Sequence, residues 1–565
     1  MIRSLLLSAT LSLSVTLPQI AQAQGLAGPY LAARIAGYSN DYAAAANYYN
    51  QLLARGVSSP RILENAVVIY AALGNVDRAA QAAEALEAGG FQSQFADGAK
   101  LVSALTKGDY DEALGLLDER GVSGALLDGL IRAWITAADD DPEGVAEAFD
   151  ALAQTAGFAP LARIHHAYAL AMAGDFEGAD DILSGRAHGT LNLTTRGIEA
   201  HAQVLMELGR DADATELLAR ANGATNSPVL QSLAERIEAG DDVGWSFITQ
   251  VPDGLAEAYF TLAAIFAGET SSTFTLLSAR AANALRPDHL DALVLTAELL
   301  EEQDRFTLAN DVLNRVPRDH PSFFGAEITR AGVLLSAGKD DASVEVLSAL
   351  TKTNPDRQVV WSAFGDTLRR LDRFQESSVA YERAIDLIEE ESDRDWYLYY
   401  VRGITYERTD RWALAEADFR KALELNPDHP QVLNYLGYGL VEKRIKLDEA
   451  LDMIERAVEA RPEDGYITDS LAWVLYRLGR FEEAVEPMER AVDLAPLDPT
   501  INDHLGDVLW VVGRKREAEF QWHRALSLEP ETEEDVKRIR RKLEVGLDVV
   551  LEEEGGVGPI EAAQD

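Results

Sequence analysis

The chain has 565 residues, no cysteine, and 94 acidic against 51 basic side chains, for a net charge of −43. The missing cysteine excludes disulfides, zinc–thiolate sites, iron–sulfur clusters and cysteine nucleophiles, and a surface this acidic repels nucleic acid and anionic lipid. Hydrophobic residues at 47% and charged residues at 26% are those of an ordinary globular chain rather than a disordered one.

Arg3 is the lone charge before an apolar stretch from Leu5 to Leu17, followed by Ala21-Gln22-Ala23. That order of features predicts a bacterial-type signal peptide over 1–23, cleaved after Ala23, and hence a periplasmic or secreted protein. No later stretch approaches ~20 uncharged apolar residues, so no transmembrane segment is expected in the mature chain.

Residues 24–221 carry a faint pattern. Gly74, Gly108, Gly174 and Gly209 mark turns, each followed five residues on by an alanine: Ala79, Ala113, Ala179 and Ala214. A further pair sits around Tyr42, Ala45 and Tyr49, and the irregular stretch Gly121–Gly157 reads as a degenerate hairpin. The expectation is a divergent N-terminal helical arm. The pattern breaks over 222–255, where Ser227-Pro228 has the form of an N-cap and first helical residue. Trp245, Phe247 and Ile248 stand there without helical period, so this stretch is expected to be a packed joint between two arms.

From 256 onward a 34-residue interval dominates. Pro287, Pro321 and Pro355 keep it, as do Pro462, Pro496 and Pro530, Ala457, Ala491 and Ala525, and Gly479 with Gly513. The register slips at the Glu389–Asp393 insertion and near Lys446. Each unit holds one apolar stripe at helical spacing, a turn near Gly or Asp, and a second stripe built on alanine. In the last unit these are Leu505-Gly506, Leu509, Gly513, Ala518, Trp522, Ala525 and Pro530. Residues 532–554 are predicted to form a capping helix with a stripe of Val536, Ile539, Leu543 and Leu547 and favourable pairs Glu533–Lys537 and Glu534–Arg538. The tail 555–565, opening on Gly555-Gly556, is expected to be disordered.

These units resemble the tetratricopeptide repeat, a 34-residue helix–turn–helix with a W-x2-L-G-x2-Y, A-x3-F, P pattern. Eight consecutive units over 256–531 follow it, beginning at 256, 290, 324, 358, 396, 430, 465 and 499. The resemblance implies an all-α fold, an α-solenoid of helical hairpins in two superhelical arms, whose function lies on its concave surface.

No H-E-x-x-H, G-x-S-x-G, G-x-x-x-x-G-K-[ST] or G-x-G-x-x-G signature occurs, nor an EF-hand loop. Repeats, joint and cap use the mature chain and leave no ~100-residue segment for a catalytic domain. A non-enzymatic protein without cofactor or metal is therefore expected. His166 and His201, in equivalent places of neighbouring repeats, read as structural rather than as metal ligands because no third ligand keeps the spacing.

In the units from 396 onward, the first-helix positions opposite the packing stripe are sixteen, of which seven are aromatic; the equivalent sixteen between 256 and 391 include one, Phe260. The candidate groove residues are Tyr397, Tyr400, Arg408, Asn434, Tyr438, Tyr466, Asp469, Trp473, Tyr476, Arg477, Asp503 and Trp510. Rings of this kind either pack between adjacent first helices or form a recognition surface of low entropy cost. The resemblance implies a groove for an extended protein or peptide segment, with Asn434 placed to hold its backbone. Asp469 and Asp503 stand where a basic clamp for a terminal carboxylate would need positive charge or amide. The expected function is a periplasmic scaffold or adaptor in envelope assembly or secretion; the alternative is a carbohydrate-binding solenoid in polysaccharide export or cell-wall processes.

Overall fold

The computed structural model describes residues 26–139, 141–225, 227–268 and 272–555. Among them every regular element is a helix. They form two compact units that divide between Gly338 and Lys339. The expected signal peptide and all but the first residue of the expected tail lie outside the described residues.

The first unit begins with α1 (Ala27–Tyr38), α2 (Tyr42–Leu53), α3 (Pro60–Ala72), α4 (Val76–Ala88), α5 (Gln94–Lys107), α6 (Tyr110–Arg120), α7 (Ala125–Thr136), α8 (Pro142–Ala153) and α9 (Ala159–Met172). It continues with α10 (Phe176–Leu183), α11 (Thr195–Glu207), α12 (Asp211–Thr225), α13 (Pro228–Glu238), α14 (Val251–Phe266), α15 (Ser272–Leu285), α16 (Leu290–Glu301), α17 (Phe306–Leu313) and α18 (Phe323–Ser336). The faint N-terminal pattern corresponds to real hairpins. Gly74, Gly108, Gly174 and Gly209 all take positive φ, and Ala79, Ala113, Ala179 and Ala214 are buried where paired helices approach. The Gly121–Gly157 stretch holds the α7–α8 hairpin, and Asp141 caps α8 by accepting from the Gly144 amide.

The expected joint at 222–255 lies within the first unit. Ser227 caps α13 as its sequence position predicts. The following segment is packed: Phe247 and Ile248 are buried, and the Trp245 indole donates to the Ile248 carbonyl at 2.6 Å. The chain does not swing away afterwards, because α14 and α15 return onto helices far earlier in sequence. α14 packs on α7 and α9, and α15 packs on α3 and α5. Gly254 gives the clearest local reason. A Cβ there would collide with the Trp134 ring of α7, so only glycine lets the two helices close.

The second unit carries α19 (Asp340–Thr353), α20 (Gln358–Arg370), α21 (Phe374–Asp386), α22 (Trp396–Glu407), α23 (Trp412–Leu425), α24 (Pro430–Glu442) and α25 (Leu447–Ala460). It ends with α26 (Gly465–Arg477), α27 (Phe481–Leu494), α28 (Pro499–Val511), α29 (Lys515–Ser527), α30 (Glu533–Val545) and α31 (Leu547–Glu553). The hairpins follow the 34-residue units. In each, the turn residue is left-handed: Asp372, Asp410, Arg444, Gly479 and Gly513 all have φ between 55° and 84°. Small residues of the first helix face large ones of the second, and a Cβ at Gly365 would lie 2.6 Å from the Tyr381 ring. First helices of successive units also pack directly on one another, α20 on α22, α24 on α26 and α26 on α28. That closer layer makes the first-helix side of this unit the inner one.

The cap departs from a single helix. Gly546, at φ 87°, separates α30 from α31, and Trp510 lies against it so closely that a Cβ would sit 2.6 Å from the ring. Glu533 and Lys537 pair at 3.6 Å as expected. Arg538 instead turns to Glu554 at 2.8 Å and approaches Asp507 at 3.6 Å, so the expected Glu534–Arg538 pair gives way to tertiary partners.

Candidate ligand groove

The inner layer of the second unit changes character along its length. Tyr397, Arg408 and Tyr466 are exposed; Tyr400, Asn434, Tyr438, Arg477, Asp503 and Trp510 are half-buried; Asp469, Trp473 and Tyr476 are buried. Twelve positions expected on one open surface are therefore spread over three environments.

At the near end, the Tyr397 and Tyr381 hydroxyls donate to one Asp366 oxygen at 2.9 and 2.8 Å. Tyr400 meets Tyr435 edge-on at a centroid distance of 5.6 Å. In the middle, Asn434 and Tyr438 lie one turn apart on α24, a placement set by the i, i+4 geometry of the helix. The Asn434 Oδ1 is shielded from water and has no hydrogen-bond partner among the described residues. Burial pushes the Tyr438 hydroxyl up, with the nearby carboxylates of Glu442 and Asp469 adding to the shift, so it stays a neutral donor.

At the far end the aromatic positions are packing residues. Trp473 is 8% exposed. Its ring stacks on Tyr476 at 4.8 Å and on His504 of α28 at 3.9 Å, and its indole donates to Glu442 at 3.2 Å. Of the two roles open to these rings, Trp473 takes packing between adjacent first helices rather than a place on an open groove. The position that faces the groove in an isolated hairpin also abuts the next first helix, and here a flat imidazole fills that gap. Asp469 is likewise committed, 3.0 Å from the His504 Nδ1. Burial lowers the imidazole's proton affinity, but the Asp469 carboxylate outweighs it and the net shift is upward.

α30 closes the last unit. Lys542, fully buried, donates to Asp503 at 2.7 Å and Asp507 at 2.6 Å, and the Trp522 indole donates to Asp507 at 3.0 Å. Of the two aspartates standing where a basic clamp would need positive charge, Asp503 is paired with Lys542 and Asp469 with His504, both supplied by the chain itself. Trp510 is half-covered by Gly546 and by Lys515, whose Nζ lies 4.3 Å over the ring. The open groove is thus the stretch over α22, α24 and the start of α26.

A second polar cluster, in the first unit, was not anticipated. Arg196 pairs with Glu257 at 2.8 Å, Glu199 at 2.9 Å and Asp291 at 3.3 Å, and His289 sits 3.0 Å from Glu257. Burial would raise the Glu257 carboxyl, but Arg196 and His289 hold it well below the usual range. Glu199 is pushed up to about 7 by burial. This network ties α11, α14 and α16 together. Its members come from three helices with no shared spacing, so no sequence signal marks them. His201 pairs with Asp180 at 2.8 Å and His166 stacks on Phe149. Among the described residues no group of three or more potential metal ligands converges, and no helix is long and apolar enough to cross a membrane.

Hairpins stacked through their first helices, with glycine or aspartate turns at a fixed interval, define a helix–turn–helix repeat solenoid. Tetratricopeptide-repeat family models match residues 30–93, 396–429 and 443–499, so these segments are similar to tetratricopeptide repeats. It is 28% identical over 183 residues to a TPR repeat-containing protein of Pseudomonas aeruginosa, a match covering 32% of this chain and 30% of that relative's length. Among solved structures, a chain of the APC/C hetero-tetramer Cut9–Hcn1 aligns at 15% identity over 93% of this chain and 97% of that one, with a TM-score of 0.38. YrrB, described as a TPR protein with an unusual peptide-binding site, aligns at 18% identity over 35% of this chain and 99% of its own, with a TM-score of 0.28.

Proposed function

We propose that the protein is a binding scaffold rather than an enzyme, and that it holds an extended segment of a partner protein along α22, α24 and α26. The Asn434 Oδ1 carries this reading. A buried acceptor without a partner is costly, and a backbone N–H of an extended peptide supplies the missing donor. Tyr438 one turn along, with Tyr397 and Tyr466 exposed on the neighbouring first helices, offers ring surface to the flanking side chains.

The same reading places the protein in the periplasm or outside the cell, acting in envelope assembly or secretion, on the strength of Arg3, the Leu5–Leu17 core and Ala21-Gln22-Ala23. Mass spectrometry of the native protein is expected to find Gln24 at the N-terminus; an intact Met1 overturns the export reading.

The binding reading is tested on peptide and glycan arrays side by side. Capture of peptides is expected, with Asn434→Ala weakening it about tenfold, near the 1.4 kcal/mol of one charge-free hydrogen bond, at unchanged melting temperature. Capture of oligosaccharides without peptides would favour the carbohydrate alternative and sink this one.

A further inference from the structure

The first unit carries a half-open pocket of about 210 Å³ between α3, α4 and α5 on one side and α14 and α15 on the other. Its wall is largely hydrocarbon, with Val67, Phe95, Val102, Phe274 and Leu277 prominent. It is larger than the ~150 Å³ apolar cavity known to take up benzene. One charged side chain borders it, Arg280 of α15.

Arg280 is 7% exposed. Its Nε donates to the Ala72 carbonyl at the end of α3, at 2.8 Å. Among the described residues no carboxylate pairs with the guanidinium; burial, with the second cation Arg315, pushes its pKa down to about 10 against a small upward effect of Tyr42. The chain carries 94 acidic residues, so a buried arginine left without one of them stands out. A guanidinium stays protonated, and burying it unpaired is costly. Arg280 also borders a second, more open depression with a largely polar lining that includes Asn75, Thr106, Asn283 and Arg315. The exposed Asp77 on that depression's rim forms no ion pair with Arg280. The cation thus sits where an apolar chamber meets a polar depression.

We propose that this pocket and the depression beside it bind a single-chain fatty acid, with the alkyl chain in the apolar chamber and the carboxylate on Arg280. The chamber sets the tail's chemistry, because it offers hydrocarbon contact and little else. The guanidinium sets the head's, because its planar fork matches a carboxylate. Scaling from benzene, the chamber suits a tail of roughly eight carbons. The site is independent of the groove in the second unit, so either proposal survives failure of the other.

The test titrates the full mature protein with decanoate, 1-decanol and acetate by calorimetry. Wild type is expected to bind decanoate saturably at one site, decanol at least tenfold more weakly, and acetate not at all. Arg280→Gln is expected to weaken decanoate at least tenfold without lowering the melting temperature. Gly98→Leu is the second variant. A Cβ at Gly98 meets nothing within 4 Å, so the added side chain fills the chamber while leaving Arg280 in place, and decanoate binding is expected to vanish from a folded protein. If Arg280 only holds the end of α3, Arg280→Gln lowers the melting temperature and leaves decanoate affinity intact, which overturns the proposal. Absence of saturable decanoate binding by wild type, equal affinity for decanoate and decanol, or full binding by Gly98→Leu overturns it as well.

Discussion

Trp473 and Asn434 occupy equivalent stripes of neighbouring first helices, yet their surroundings assign them opposite work. Trp473 is clamped between Tyr476 and His504, so Trp473→Ala is expected to open a cavity and cost about 3–5 kcal/mol. Thermal unfolding checks this, with the exposed Tyr466→Ala near zero as comparison. His504 adds a pH dependence. Asp469 raises its folded pKa above the ordinary value near 6.5. The folded state therefore holds this proton more tightly than the unfolded one, and the stabilisation is complete below about pH 6.5. It is lost as pH rises through the raised folded value. Melting temperature is expected to fall over that range, and His504→Gln to flatten the slope; an unchanged slope would contradict the pairing. The aromatic enrichment of these positions was legible in the sequence. Their burial was not, because spacing assigns a residue to a helix face but does not say that a histidine from the next unit fills the space in front of it.

At the scale of elements, periodicity did most of the work. Hairpin turns and starts fall where the 34-residue interval puts them, since glycine and aspartate mark left-handed turns and alanine marks close helix approach. Two placements left no periodic trace. The return of α15 onto α3 is made by contacts such as Arg280 with the Ala72 carbonyl, 208 residues apart. The docking of α30 depends on Lys542 reaching Asp503 and Asp507, which a stripe count misses because lysine is not part of an apolar stripe. Lys542→Ala removes the ammonium from the buried Asp507 and the half-buried Asp503, and its expected cost is about 3–5 kcal/mol. Hydrogen exchange checks the location: protection is expected to drop first in α28 to α31 and to fade toward earlier units, because repeat contacts are nearest-neighbour. A uniform drop through α20 to α31 would contradict a solenoid.

At the scale of the whole chain, each unit covers part of its own surface with a later segment of the chain. The first unit receives its own α14–α15 hairpin, and the last repeat receives its own α30. Among the described residues of the second unit, the first-helix side of α22, α24 and the start of α26 stays uncovered, and that stretch is the proposed binding surface. The most direct test is amide hydrogen exchange on the full mature chain with and without an array-selected peptide at saturation. Added protection is expected along the first helices α22, α24 and α26, with the second helices α23, α25 and α27 little changed. Protection confined to those second helices, or to the first unit, would contradict it.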